Sequence, residues 1–257
     1  MRVRLLGIFV LLTVACELAA AQSIPLPPAR PGPPAATPPV SAPDQPAPPS
    51  ACFLRLSPDL AIASALPPVG GVGGCGAEDV VKLEAVVLAD KTRVAVTPPA
   101  TVRCDLAEAI ARWVREDVAP AVRHLGALKS VDNYASYDCR GRNRVVGAKL
   151  SEHGKANALD MRSFRLASGA VVELTSVQVA KDLREDLKQS TCARFTTVLG
   201  PGSDGYHEDH VHVDLAVRRG GYRMCQWDVR EEDEKPAAGA DAEIPLPRPR
   251  PVARIHR

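Results

Sequence analysis

The stretch GYHEDHVHVDL, from Gly205 to Leu215, concentrates side chains that can bind a metal or move a proton. Three of the six histidines of the chain lie within six residues here, together with two acidic residues. The second half of the stretch alternates polar and apolar residues and predicts a strand, in which His210 and His212 point to the same face. Two imidazoles at one place could begin a metal site. The alternative is a polar strand that is merely rich in histidine.

A second cluster, SEHGKANALD, supplies the ligands that the first one lacks. It places His153 and Asp160 seven residues apart, and Asp160 enters another alternating segment. One carboxylate and one imidazole from this cluster, joined by an imidazole from the distant strand and by water, form the ligand set of a catalytic zinc. Structural zinc sites usually have four protein ligands and favour cysteine. The two clusters together therefore predict a catalytic Zn²⁺ site.

The two ends of the chain differ in composition from its middle. Residues 1–21 combine a basic start, a short apolar run and an Ala-x-Ala end, which is typical of a secretory signal peptide cleaved after Ala21. Residues 22–50 are rich in Pro and Ala and predict a disordered linker. Residues 229–257 predict a disordered, charged and Pro-rich tail. One folded domain is expected over residues 51–228.

The cysteines agree with export. Outside the predicted signal peptide they are well separated, at Cys52, Cys75, Cys104, Cys139, Cys192 and Cys225. Because no C-x-x-C pair occurs, three disulfides are a better interpretation than a cysteine-rich zinc site. The sequence does not choose among the fifteen possible pairings. Signal peptide and cysteines together predict a secreted or periplasmic protein.

The composition excludes some classes of function. A net charge of +2 and an aromatic content of 4% give no basis for a nucleic-acid-binding surface. No segment after the predicted signal is apolar for long enough to predict a transmembrane helix. We expect a monomer.

The segments around the candidate ligands predict helices mixed with antiparallel hairpins. Val81–Leu88 and Thr92–Pro98 alternate and predict one hairpin, and ANALDMRSFRL with AVVELTSV predicts another. The segment CDLAEAIARWVREDVAPAVRHLG predicts a helix that Pro120 kinks and Gly126 ends. QVAKDLREDLKQSTCARF predicts a second helix, and VDNYASYDCR, TTVL and HVHVDLAV predict further strands. Such a mixture is typical of an α+β fold.

The motifs resemble those of the LAS metallopeptidases, the group of lysostaphin-type enzymes, D-Ala-D-Ala metallopeptidases and hedgehog-like domains. H-x6-D followed by H-x-H is their shared signature. The fuller pattern S-x-H-x-x-G-x-A-x-D matches Ser151 to Asp160, with Ala156 where the pattern has Gly. Over roughly residues 51–227 the chain resembles the bacterial extensin-like C-terminal domain family, on YDCRGRN, SEHGKANALDM, CARFTTVLGPGSD and HEDHVHVDL. The resemblance implies a small antiparallel sheet with flanking helices.

The resemblance also implies roles for individual residues. His153, Asp160 and His212 would be the zinc ligands. Two residues compete for the role of general base. Asp209 lies three residues before the last zinc histidine, as the acid of the D-Ala-D-Ala group does. His210 holds the catalytic place of the lysostaphin-type pattern.

Further roles follow from the positions next to these motifs. The resemblance implies that Arg140 stabilises an oxyanion, and a structural salt bridge beside Cys139 is the alternative. Glu152 and Asp214 flank the ligands and are either partners that hold imidazole tautomers or surface charges. The spacing H-x-x-H-x-H that begins at His207 also matches penicillin-insensitive murein endopeptidases.

These observations lead to two hypotheses about function. The first is an exported zinc-dependent peptidase that cleaves peptidoglycan cross-links or stem peptides, as a D,D-carboxypeptidase or an endopeptidase. The second is a non-catalytic module that binds the cell wall or has a structural role. The two tails share a short Pro-rich pattern, IPLPPARP at residues 24–31 and IPLPRPRP at residues 244–251, which could dock a partner or the wall.

Overall fold

A computed structural model describes residues 49–231, so the predicted signal peptide, most of the linker and most of the tail lie outside the described residues. These residues form an α+β domain built around one large sheet. The strands are β1 Ala61–Leu66, β2 Val69–Gly70, β3 Gly76–Ala77, β4 Val80–Val87, β5 Arg93–Arg103, β6 Leu128–Ala135, β7 Ala158–Leu166, β8 Val171–Glu173, β9 Thr197–Leu199, β10 Val211–Asp214 and β11 Met224–Gln226. The helices are α1 Ala51–Arg55, α2 Cys104–Trp113, α3 Ala119–Val122 and α4 Lys181–Arg194. No helix in this part of the chain has the length and apolarity needed to cross a membrane.

The large sheet has nine strands in the order β1-β4-β5-β6-β7-β10-β9-β11, with β8 paired to β7. It is mixed, because β5 pairs with β6 and β9 with β11 in parallel. The expectation of a small antiparallel sheet was therefore wrong in size and in strand direction. The helical crossover from β5 to β6 returns the chain to the same end of the sheet, which makes that pair parallel. Both predicted hairpins, β4–β5 and β7–β8, are confirmed.

The predicted interruption at Pro120 takes the form of a π turn between two helices. Residues Val114–Val118 adopt this wider turn, in which the Ala119 amide donates to the Val114 carbonyl. A proline cannot donate to the residue four before it and its ring crowds that residue's carbonyl. Helix α3 follows the π turn directly, and the chain leaves the helix before Gly126.

The core lies between the sheet and helices α2 and α4. Trp113 of α2 is fully buried and contacts the rings of Phe164 and Phe195 at centroid distances of 5.9 and 5.8 Å. Its indole N–H donates to Ser190 of α4, so burial leaves no unsatisfied donor on this ring. The folded body extends past the predicted boundary at Asp228, because Val229 is buried.

Three disulfides close the domain, with the pairing Cys52–Cys104, Cys75–Cys139 and Cys192–Cys225. Disulfides that close loops of this length each stabilise a folded domain by about 3–4 kcal/mol. The Cys75–Cys139 bond also explains why one predicted strand is shorter than expected. The strand predicted over VDNYASYDCR ends at Ala135, since the following residues turn away to reach this disulfide and the candidate metal centre.

Candidate metal centre

Backbone pairing brings the predicted ligands together. Strands β7 and β10 are antiparallel neighbours, and His212 lies directly opposite Asp160 in their register. Side chains opposite each other in a sheet share one face. His153 lies in a short 3₁₀ turn, His153–Lys155, immediately before β7, and this turn folds its imidazole back over Asp160.

The three side chains form a compact group. Nε2 of His153 lies 3.2 Å from Oδ1 of Asp160 and 3.2 Å from Nδ1 of His212, and the last two atoms are 2.8 Å apart. Ligands about 2.0–2.1 Å from a tetrahedral zinc are separated by about 3.3–3.4 Å, so small shifts would admit the ion. The structure therefore brings the three predicted residues into one group. Two nitrogens and one carboxylate oxygen are a donor set that fits zinc.

The two imidazoles present different nitrogens, and each is fixed by a bond on its far side. Nδ1 of His153 lies 2.7 Å from the Ser136 carbonyl, which can only accept, so Nδ1 donates and Nε2 faces the site. His212 is reversed, with Nε2 3.2 Å from Oδ2 of Asp214 and Nδ1 toward the other ligands. Such outer partners set the tautomer and the orientation of ligating histidines.

Asp214 is held in turn by residues that the sequence analysis missed. Its Oδ1 accepts a short hydrogen bond from the Thr197 hydroxyl and a 2.9 Å bond from the Ala216 amide. Arg218 donates to the Thr197 hydroxyl. Asp214 is thus a buried partner of a ligand and not a surface charge. Thr197 lies in the stretch CARFTTVLGPGSD but was given no role there, and Arg218 belongs to none of the quoted motifs.

Glu152 has a different role from the one considered for it. Glu152 is buried and accepts hydrogen bonds from Asn157 at 2.7 Å and from Lys155 at 2.6 Å. Within residues 49–231 its side chain bonds to none of the three ligands. It braces the turn that carries His153. That turn ends at Ala156, which has a left-handed backbone with φ of 51°. This is the position where the LAS pattern has Gly, the residue that adopts positive φ without strain.

The buried charges of the group depend on one another. Burial alone would raise the pKa of Asp160, but hydrogen bonds from His153 and His212 outweigh it and hold that pKa well below its usual range. Burial lowers the pKa of His212, but hydrogen bonds to Asp160 and Asp214 outweigh it and raise that pKa. Asp160 is therefore ionised, as a metal ligand must be, and a metal ion would replace a proton on His212.

The two candidates for general base form a pair. Oδ1 of Asp209 lies 2.7 Å from Nδ1 of His210, and Nε2 of His210 faces inward, 3.7 Å from Oδ2 of Asp160. Strand β10 begins only at Val211, so Asp209 lies on the preceding turn. Its side chain is 63% exposed and contacts His210 and Arg162. Of the two residues, only His210 turns an atom that can accept a proton, Nε2, toward the ligands.

Asp209 and His210 form a closed ring of side-chain contacts with Arg162 and Tyr134. Arg162 donates to Oδ2 of Asp209 at 2.6 Å and stacks over the Tyr134 ring, 3.6 Å from its centroid. The Tyr134 ring packs against His210 with centroids 5.1 Å apart. Arg162 and Tyr134 were not predicted as site residues, although Arg162 lies two residues beyond Asp160 on the same strand.

A second Asp–His pair lies on the other side of His210. Nδ1 of His207 is 2.6 Å from Oδ1 of Asp204, and the His207 ring contacts the rings of His210 and His212. Burial raises the pKa of Asp204, but hydrogen bonds, chiefly from His207, outweigh it and lower that pKa to about 2. Asn143 donates to the other oxygen of Asp204.

Arg140 forms a salt bridge and also lines the cavity. Its Nε donates to Asp138 at 3.0 Å, next to the disulfide-bonded Cys139, so the structural salt bridge exists. Its side chain is 16% exposed and also lines the cavity above the ligands. That cavity encloses about 600 Å³. Its walls include Tyr134, Arg140, Arg142, Arg144, His153, Asp160, Tyr206, His207, His210, His212 and Arg218.

The site thus offers a three-ligand metal position at the floor of an open cavity, with an oriented imidazole beside it. No curated protein and no solved structure matches the chain. The family described as extensin-like protein C-terminus matches residues 50–226, over a span that contains all three ligands and both Asp–His pairs. Since this match covers more than half of the sequence, the chain belongs to the extensin-like C-terminal family.

Proposed function

We propose that this protein is an exported zinc metallopeptidase that hydrolyses peptidoglycan peptides, and that its fold is related to that of the LAS group. The observation that carries the proposal is the arrangement of His153, Asp160 and His212, whose ligating atoms lie within 3.2 Å of one another at the floor of a cavity. The signal-peptide pattern and the three disulfides support a location outside the cytoplasm.

The three ligands would hold Zn²⁺, which polarises an amide carbonyl and lowers the pKa of water when it is bound in such a site. His210 is the general base of the proposed reaction. Its Nε2 takes a proton from the attacking water and passes it to the nitrogen of the leaving amine. Asp209 accepts from Nδ1 and keeps Nε2 free for this transfer.

Arg140 supplies the positive charge that the developing oxyanion requires. The Nε of Arg140 donates to Asp138, and within residues 49–231 the guanidinium of Arg140 makes no other hydrogen bond. Its terminal nitrogens are therefore free to bind substrate.

The experiment measures zinc content and muropeptide cleavage for residues 22–257 purified from an oxidising periplasm. The expected result is about one zinc per chain, which His212→Ala loses and His210→Ala keeps. Cleavage is expected to fall at least about a hundredfold in His210→Ala, the usual contribution of a general base. His124→Ala is the matched control, since His124 is exposed on the helical crossover and bonds only to Ala121.

Folded protein without zinc would refute the metallopeptidase. Zinc without cleavage, together with sacculus binding that persists in His210→Ala, would favour the non-catalytic wall-binding module instead.

A further inference from the structure

The walls of the cavity carry arginines, and the proposed reaction uses only Arg140 among them. Four arginines line it, namely Arg140, Arg142, Arg144 and Arg218. Four carboxylates line it as well, and three of them contact histidines of the site, while Glu152 is neutralised by Lys155. A divalent ion on the three ligands would make the lining positive.

The arginines differ in how they are compensated. Arg140 and Arg144 share a single carboxylate, Asp138, at 3.0 and 2.5 Å. Arg142 has no carboxylate partner in the described part of the chain, and neither has Arg218. Arg218 is half-buried and fixed in orientation by hydrogen bonds to the Thr196 carbonyl and the Thr197 hydroxyl.

A guanidinium that is held in place inside a cleft without a counter-ion is a prepared site for an anion. Its planar fork matches a carboxylate, and such charge-assisted pairs are among the stronger hydrogen bonds in proteins. Asp214, whose partner Thr197 also bonds Arg218, forms no ion pair with it and is engaged by Thr197, Ala216 and His212.

We propose that the cavity selects peptides that carry a free carboxylate, and that Arg142 and Arg218 are the specificity-determining residues that bind it. This rests on the proposed function for the identity of the substrate as a peptide. The carboxylate can come from a C-terminus or from an acidic side chain, and the two sources are separable by experiment.

The test measures binding to the zinc-loaded His210→Ala protein by calorimetry, so that no turnover is required. The probes are four N-acetylated tetrapeptides ending in D-Ala-D-Ala, which combine a C-terminal acid or amide with an interior Glu or Gln. At least one acid is expected to bind about tenfold more tightly than its neutral counterpart. An acid–amide difference indicates a C-terminal carboxylate, and a Glu–Gln difference indicates a side chain.

Arg142→Gln is expected to remove this preference while zinc content stays unchanged. Arg123→Gln is the matched control, because Arg123 is exposed at the end of α3, does not line the cavity, and forms no side-chain hydrogen bond or ion pair within residues 49–231. Arg218→Lys keeps the charge but loses the fork, so the preference should fall there as well.

Equal binding of all four peptides, or no binding of any, would overturn the proposal. So would a preference that survives in both Arg142→Gln and Arg218→Lys. If the wild-type protein cleaves all four peptides alike, the specificity is refuted and the peptidase stands. If the preference is present without any cleavage, the carboxylate site stands and the peptidase is refuted.

Discussion

The ligand group and the base pair are adjacent, yet they are held in different ways. The side chains of His153, Asp160 and His212 are 2%, 5% and 8% exposed. In the base pair His210 is 9% exposed, but Asp209, which orients it, is 63% exposed, and Arg162, which holds Asp209, is 41% exposed. Backbone pairing of β7 with β10 fixes the positions of two ligands, because Asp160 and His212 lie opposite each other in the sheet. The base pair instead depends on a ring of side-chain contacts at the cavity rim.

The two parts of the site should therefore differ in how well they tolerate change. A buried group fixed by sheet register loses its function only when a ligand or its partner is removed. A rim group fixed by exposed ion pairs can be loosened from outside, since exposed ion pairs each contribute about 0–1 kcal/mol and are weakened by salt. Catalysis should therefore be easier to lose than metal binding.

The largest effect is expected from the buried partner of a ligand. Asp214→Asn preserves shape but removes the charge that holds Nε2 of His212, so zinc affinity should fall about 10–100-fold. Competition with a fluorescent chelator measures this change. Asp186→Asn on the exposed face of α4 is the control, and an unchanged affinity in Asp214→Asn would show that the partner does not tune the ligand.

A smaller effect, on catalysis and not on zinc binding, is expected from substituting Arg162 at the cavity rim. Arg162→Gln releases Asp209, so kcat should fall about tenfold while KM and zinc content stay the same, as for partial loss of a general base. Imidazole ¹⁵N shifts of His210 should show a mixed tautomer where the wild type has one. Arg165→Gln, on the same strand and exposed, should change neither quantity. Loss of zinc in Arg162→Gln would contradict the separation of the two regions.

The second rim pair gives a prediction for acid stability. Because the pKa of Asp204 is lowered to about 2, its ionised form stabilises the fold above its ordinary pKa of about 4, and this contribution is lost as the pH falls through 2. The unfolding free energy of Asp204→Asn should therefore lie below that of the wild type at pH 6, and the two should converge by pH 2. Urea titrations at several pH values measure the gap, and a gap that widens on acidification would refute the assignment.

The smallest effect is expected in the turn that carries His153. Ala156→Gly relieves a left-handed backbone, worth about 1 kcal/mol, but loses a buried methyl and adds chain entropy of similar size. The melting temperature should change by no more than about 2 °C. Ala156→Val is the contrasting variant, since a β-branched residue is strongly disfavoured there and should be clearly destabilising.

Much of the ligand group could be predicted, because His153 and Asp160 share one motif, His212 lies in another, and the resemblance of these motifs implied the ligand set. Alternation within strands predicted both hairpins. The competition between Asp209 and His210 could not be resolved, since it depends on where β10 begins and on Arg162, which is 47 residues from Asp209 in the sequence. The mixed strand order could not be predicted either, because it depends on how the helical crossover between β5 and β6 packs against the sheet.

The sequence was sufficient to predict the types of the candidate ligands, the two motifs in which they lie and the six cysteines available for disulfides, all of which are local properties. The cysteine pairing, the nitrogen that each histidine presents, and the support of Asp214 by Thr197 and Arg218 became known from the tertiary structure. These depend on register and contact between segments far apart in the chain. The free energy that selects them comes from packing the whole domain and not from any one segment.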